Sequence, residues 1–257
     1  MPSDDVLNVK SVGKAFRVLQ CFEETTAAEK DLSLMDIVRL TGYDKSTAQR
    51  FTHTLQTVGY LSKNSHTKRY SLSVKAMELA FSFLRNNSFI EMANPHLIDL
   101  CRVTEQRVSL SLFEDTSIIY VMRHQTKPDY YYSSLAGRRL AACSSAGGRA
   151  ILAKLGEAKA LDILNRSELI PYTAKTITDK TRILQEIKKI EQKGYGVSVE
   201  EVTYGEVGLG AAITDRTGYP CAALHIIGPL SDQTPEAFEE KYSPFILEAV
   251  QRISGRV

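Results

Sequence analysis

The sequence predicts an α+β chain with an N-terminal winged helix-turn-helix, a linking helix and a C-terminal α/β domain. Three observations predict this order. Two short amphipathic helical patterns flank the turn Thr41-Gly42-Tyr43. A basic hairpin pattern follows Gly59, and beyond Glu105 the apolar period shifts towards strand-like alternation. At 257 residues the chain is long enough for two modest domains. Its 43% hydrophobic and 24% charged residues belong to an ordinary globular protein.

The first element is helical. Val12, Ala15, Phe16, Val18, Leu19 and Phe22 recur at helical spacing and give a broad apolar face. In the next helix Ser33 is a cap, with Asp36 completing a capping box, and Leu34, Ile37, Val38 and Leu40 form the buried stripe. Gly42 suits the left-handed residue that ends a helix, and Asp44 caps a second helix over Lys45 to Val58. Two short helices across a glycine-containing turn make a helix-turn-helix. Ala48, Phe51, Leu55 and Val58 are expected to point inward. Lys45, Ser46, Thr47, Gln49, Arg50 and His53 are left for the outside, and these side chains donate to phosphates and base edges. Any solvated helix face could carry such residues, so the following segment matters. There Tyr60-Leu61 and Tyr70-Leu72 read as two strands about the turn Asn64 to Thr67. Lys63, Lys68 and Arg69 crowd its tip, where they could neutralise phosphates beside a groove.

Charge follows the same division. Between Ser33 and Ser73 six basic residues stand against two acidic ones, a local surplus of +4 that leaves −2 for the rest of a chain whose total is +2. The polar N-terminus lacks the apolar core of a signal peptide, and no run reaches the ~18 apolar residues of a membrane span. Cys21, Cys101, Cys143 and Cys221 are widely spaced, match no metal motif and read as buried free thiols in a reducing cytoplasm. No cofactor is implied.

Val74 to about Asn86 is helical and partly apolar, with Ala76, Met77, Leu79, Ala80, Phe83 and Leu84. That side would suit a second subunit or its own domain equally well. A second helix spans roughly Phe89 to Thr104, with Pro95 in its first turns or marking a break. RVSLSLFED and SIIYVMRHQ form a hairpin, and a helix covers Ala146 to Leu155. Two more helices follow, the second closed by Gly194. GYGVSVEE, VGLGAAITD and PCAALHIIG are strands, with Gly218 in the last turn, and a terminal helix ends the chain. An antiparallel sheet with helices on one or both sides follows.

The run SVGKAFRVLQCF…LSLMDIVRLTGYDKSTAQRFTHTLQTVGYL…RYSLSVKAMEL resembles the N-terminal domain of the isocitrate lyase regulator (IclR) family. Ile37, Thr41, Gly42, Ser46, Thr47, Arg50, Leu55 and Leu61 fall in the family's register, and Ser73 replaces the usual glycine after the wing. GRRLAACSSAGGRAILAKL, KGYGVSVEEVTYGEVGLGAAITDRTGYPCAAL and IIGP resemble its GAF-like effector domain, so the resemblance covers nearly the whole chain from Val12. It implies domains at 1–73 (winged helix-turn-helix), 74–87 (linker helix) and 88–257 (effector binding). It also implies a homodimer or homotetramer on palindromic double-stranded DNA, controlled by a small organic acid.

Ser145 can cap the helix at Ala146, where free N–H groups favour an anion, while Gly147 and Gly148 would admit a ligand close to the backbone. The same residues can simply begin a well-packed helix. Carried over by resemblance, Tyr132 and Leu140 wall the pocket, Ala146 and Gly147 sit at the helix start, and Ser198, Gly208 and His225 fall on the last strands. In the family the position of Ser198 is acidic in some members, that of Gly208 can be cysteine, and that of His225 carries small hydroxyl residues. These departures point away from a two-carbon acid and towards an aromatic carboxylate. His225 also reads as a hydrogen-bonded core residue, and Arg123-His124 as the solvated end of a strand. Glu200 and Glu201, on adjacent strand positions, would point to opposite faces and form no acid/base couple. The rival class is a redox enzyme using Cys143 just before a helix start that could lower its pKa. No Cys-x-x-Cys, nucleophile elbow or Walker loop supports it. A third reading makes the winged helix a protein-contact module.

Overall fold

The computed structural model describes residues 8–24, 31–126 and 136–256. The chain divides into two compact units, Met1–Asn86 and Asn87–Val257.

In the first unit, helices α1 (Lys10–Gln20), α2 (Leu34–Thr41) and α3 (Lys45–Thr57) precede a hairpin of β1 (Leu61–Lys63) and β2 (Tyr70–Leu72), followed by α4 (Lys75–Asn86). Local chemistry sets the boundaries. The Asp36 amide donates to Ser33 Oγ (3.1 Å) while the Asp36 carboxylate accepts from the Ser33 amide (2.8 Å), a complete capping box. Gly42 closes α2 at φ 71°, and the Asp44 carboxylate accepts from the Thr47 amide (2.8 Å) to open α3.

A small core of Val18, Cys21, Phe22, Leu32, Ile37, Ala48, Leu55, Leu61 and Tyr70 holds these pieces together. Two expectations about that core are corrected. Val12 and Phe16 are exposed, because they lie on the side of α1 turned away from the buried Val18. On α3 the buried set is Ala48, Thr52 and Leu55; Phe51 is half-buried and Val58, beyond the last helical turn, lies outside. On α4 no residue is buried.

The second unit opens with α5 (Ser88–Thr104), which runs through Pro95 without a break, its start capped by Asn87. Six antiparallel strands form its sheet: β3 (Arg107–Glu114), β4 (Ser117–His124), β5 (Arg139–Ala141), β6 (Gly196–Val199), β7 (Glu206–Thr214) and β8 (Pro220–Pro229). Their order is β5-β4-β3-β8-β7-β6. The helices α6 (Ala146–Leu155), α7 (Glu157–Arg166) and α8 (Lys180–Lys193) layer on one face, and α5 with α9 (Pro235–Ile253) on the other. Helices therefore cover both faces.

Glycines set how closely each layer approaches. A Cβ on Gly210 of β7 would sit 2.0 Å from the Gly147 backbone nitrogen, and one on Gly228 of β8 would meet Phe238 of α9 at 2.5 Å. Alternation along β8 thus sends His225 towards α6 and Gly228 towards α9. Gly194 (φ 81°) ends α8 and Gly218 (φ 85°) turns β7 into β8, both at the positions the sequence assigns. Among the described residues no helix is long and apolar enough to cross a membrane.

Candidate functional site

Two surfaces carry chemistry, one in each unit. In the first unit, α3 presents Lys45, Ser46, Gln49, Arg50 and His53 to solvent. Thr47 is half-buried and its hydroxyl donates to the Asp44 carboxylate (2.6 Å), so it serves the cap as well as the helix face. This hydrogen bond, with those from the Thr47 and Ser46 amides, holds the Asp44 carboxyl below its ordinary range. Lys63 and Lys68 are exposed on the hairpin, and Lys63 Nζ lies 4.9 Å from the Tyr70 ring centroid.

Arg69 behaves differently from its neighbours. Its Nη2 donates to the Asp31 carbonyl (2.7 Å) and to Asp36 Oδ2 (3.1 Å), and its Nε donates to the same carbonyl (3.0 Å). The guanidinium ties the base of the wing to the start of α2 instead of standing free at the tip. Sequence spacing could not show this, since the partners lie 33 and 38 residues away.

In the second unit a cleft opens between the start of α6 and strands β6 to β8. It is lined by Ser145, Ala146, Ser198, Gly208 and His225, five of the positions expected there. The remaining expected positions part company. Leu140 is buried in the hydrophobic core beneath α6. Gly147 and Gly148 do not line the cleft. Their missing side chains let α6 settle on β7, β8 and the Ala142 carbonyl, which a Cβ on Gly148 would meet at 2.0 Å. Tyr132 lies outside the described residues.

Ser145 caps α6 as expected, its Oγ accepting from the Gly148 amide at 3.0 Å. His225 is a buried, hydrogen-bonded residue that also lines the cleft: it is 2% exposed, with Nε2 2.8 Å from Ser111 Oγ. Burial pushes its pKa down to about 3, so the ring is neutral at physiological pH. The Tyr120 ring packs against it at 4.9 Å, and burial drives that phenol up to about 12. Arg123 and His124 do not end in solvent. Both are partly buried, and His124 Nε2 lies 2.8 Å from Asn94 Oδ1 of α5.

The charged residues of the cleft were missed. Arg107, Arg138, Glu200, Glu201 and Glu206 also line it, and Arg107, 7% exposed, pairs with Glu206 at 2.6 Å. The chain leaves β6 at Val199, and Glu200 turns it at φ 56°, so Glu200 and Glu201 are not neighbouring strand residues. Instead Glu201 reaches under the cleft to Arg149 of α6, whose Nη1 donates to Oε1 at 3.0 Å and whose Nη2 donates to Oε2. The arginine also donates through Nε to the Cys143 carbonyl (2.8 Å), and the Ile177 amide donates to Glu201 (3.2 Å). An isolated arginine in an apolar helix was the available signal, because a guanidinium placed there requires a buried acid.

Cys143 does not have the environment of a nucleophile. It is fully buried in a short 3₁₀ turn before α6, and burial pushes its thiol up, opposite to the activation that a helix start was expected to give.

An exposed polar recognition helix with a wing, joined in one chain to an α/β domain with a polar cleft, is the architecture of a DNA-binding transcriptional regulator. Residues 11–65 match the IclR helix-turn-helix domain, and residues 81–255 match the family described as bacterial transcriptional regulator IclR, C-terminal. The chain belongs to the IclR family of bacterial transcriptional regulators. It is 28% identical over 250 residues to the HTH-type transcriptional regulator KdgR of Escherichia coli, covering 97% of this chain and 93% of that protein. Among solved structures it is similar to Thermotoga maritima IclR, with a TM-score of 0.69, 28% identity and coverage of 96% and 98% of the two chains. It also shares the fold of an IclR homologue from Microbacterium hydrocarbonoxydans complexed with 4-hydroxybenzoate, with a TM-score of 0.73, 21% identity and coverage of 95% and 97%.

Proposed function

We propose that the chain acts as a homo-oligomer on a palindromic operator, with α3 of each protomer in a major groove and the wing on adjacent phosphates. The observation that carries this is the exposure of Lys45, Ser46, Gln49, Arg50 and His53 on one helix whose other side is core. In this reading Lys63 and Lys68 neutralise phosphates, and Arg69 positions the wing. The exposed apolar residues of α4, among them Met77, Leu79, Phe81 and Phe83, are the contact with a second copy, and the units fall at 1–73, 74–87 and 88–257. Replacing Arg50 or Lys45 by alanine weakens operator binding in gel shifts without loss of helicity. Unchanged affinity in both variants excludes α3 as the reading element.

The cleft of the second unit takes a small organic acid. Its carboxylate is received by Arg107 and Arg138 and by the backbone at the start of α6, while the neutral His225 and Tyr120 rings form an apolar wall suited to an aromatic body. Binding shifts the population between DNA-competent and DNA-incompetent assemblies. Thermal-shift screening with 4-hydroxybenzoate, benzoate and aliphatic acids tests this. Stabilisation by the aromatic acids, lost in Arg107→Met, is expected; stabilisation by aliphatic acids alone excludes the aromatic class.

A further inference from the structure

The basic residues of the first unit extend beyond the helix-turn-helix and the wing. Lys10, Lys14, Val18 and Cys21 recur at intervals of four, four and three on one side of α1. At the C-terminal end that stripe is core, with Val18 and Cys21 fully buried. At the N-terminal end it turns cationic as α1 runs out past the core. There Lys10, Ser11 and Lys14 face Thr47, Arg50, Phe51 and Thr54 of α3 across an open cleft.

Three cations meet in this cleft, and among the described residues no acidic one lines it. Among the described residues none of Lys10, Lys14 and Arg50 is in an ion pair; Lys14 has only the Tyr43 ring, 5.6 Å from its Nζ. The exposed apolar residues Val9, at the cap of α1, and Val12 and Phe16 within it lie on its other side, so the cationic side is separate from them. A concave, water-accessible group of like charges with no counter-charge raises the local anion concentration, and a phosphate seated there relieves their mutual repulsion.

We propose that the cleft between α1 and α3 grips a backbone phosphate of the bound duplex, with Lys10 and Lys14 as its contacts on α1. Thr47 and Arg50 belong both to this cleft and to the face of the helix that reads the groove, so the phosphate strand flanking that groove runs beside the lysines. The contact carries no sequence information. It fixes how deeply and at what angle α3 enters, as phosphate contacts do.

The test uses the full chain, a duplex selected by it from a random pool, and a scrambled duplex of equal length. Each phosphate neutralised contributes about 0.9 to the slope of log K against log salt, so Lys10→Ala with Lys14→Ala, which together give up one phosphate, should flatten that slope by ~0.9 per protomer on both duplexes. Between 50 and 200 mM salt the affinity of this variant should then fall roughly 3.5-fold less, per protomer, than that of the wild type. Lys10→Arg with Lys14→Arg should keep the wild-type slope. An unchanged slope in the alanine variant, with α3 still binding the selected duplex, overturns the proposal. So does stabilisation of the protein by millimolar inorganic phosphate without any change in slope, which would make the cleft a site for a free anion.

Discussion

The Arg149–Glu201 pair is buried beneath the cleft of the second unit and ties α6 to the segment after β6. Arg149 is 1% exposed, and its guanidinium spans from the Cys143 carbonyl to both carboxylate oxygens of Glu201. Glu201 sits in the segment that floors the cleft. Its main-chain carbonyl and that of Glu200 accept from the hydroxyls of Thr176 and Thr173, both at 2.6 Å. Glu201→Gln preserves the shape but leaves a buried guanidinium without a counter-charge. Losing one partner of such a buried pair costs about 3–5 kcal/mol, whereas replacing both by apolar residues of similar volume is roughly neutral. Urea unfolding followed by far-ultraviolet circular dichroism measures the effect on the second unit. Glu201→Gln should lower the stability of that unit by about 3 kcal/mol or more, and Arg149→Met with Glu201→Leu should recover most of it. A Glu201→Gln protein within about 1 kcal/mol of wild type would refute the reasoning, since it would mean that water or another group satisfies Arg149.

Further outcomes follow from the same structure. Because burial lowers the His225 pKa to about 3, the unfolded chain binds a proton near pH 6.5 that the folded chain refuses. Stability from this residue is therefore complete above pH 6.5 and lost at up to ~1.4 kcal/mol per pH unit as pH falls towards 3. The partly buried His124 shifts in the same direction, so the difference between wild type and His225→Gln isolates the effect of His225 in melts at pH 5 and pH 7. On the wing, Lys68→Ala should weaken all duplexes alike and flatten the salt slope by ~0.9. Arg69→Ala should also lower the stability of the first unit, by about 1 kcal/mol in a thermal melt, because it unties Asp31 and Asp36. Native thiol titration should find the half-exposed Cys221 modified before Cys143; rapid modification of Cys143 would contradict its burial.

The helix-turn-helix was legible in detail because its signals are local. Ser33 with Asp36, Gly42 and Asp44 act on amides one to four residues away, and they place α2 and α3 whatever lies elsewhere in the chain. The hairpin, the Ala146–Leu155 helix and the closing glycines follow for the same reason. Which apolar residues become core was less legible. Periodicity groups apolar residues on a helix without saying which of them a neighbour covers, so Val12 and Phe16 were counted in one apolar face with Val18 and Val58 was expected to point inward, yet all three are exposed.

Amino-acid order alone determined the sequence of elements, their caps and the polar outer face of α3, because short-range hydrogen bonds and apolar spacing decide those. Tertiary structure alone decided the chemistry of the cleft. Arg107 meets Glu206, and Glu201 finds Arg149 from 52 positions away. Leu140 drops into the core, and Gly147 and Gly210 become the contact between helix and sheet. Sheet order and packing distance bring these residues together, and neither is written in the spacing of neighbouring residues.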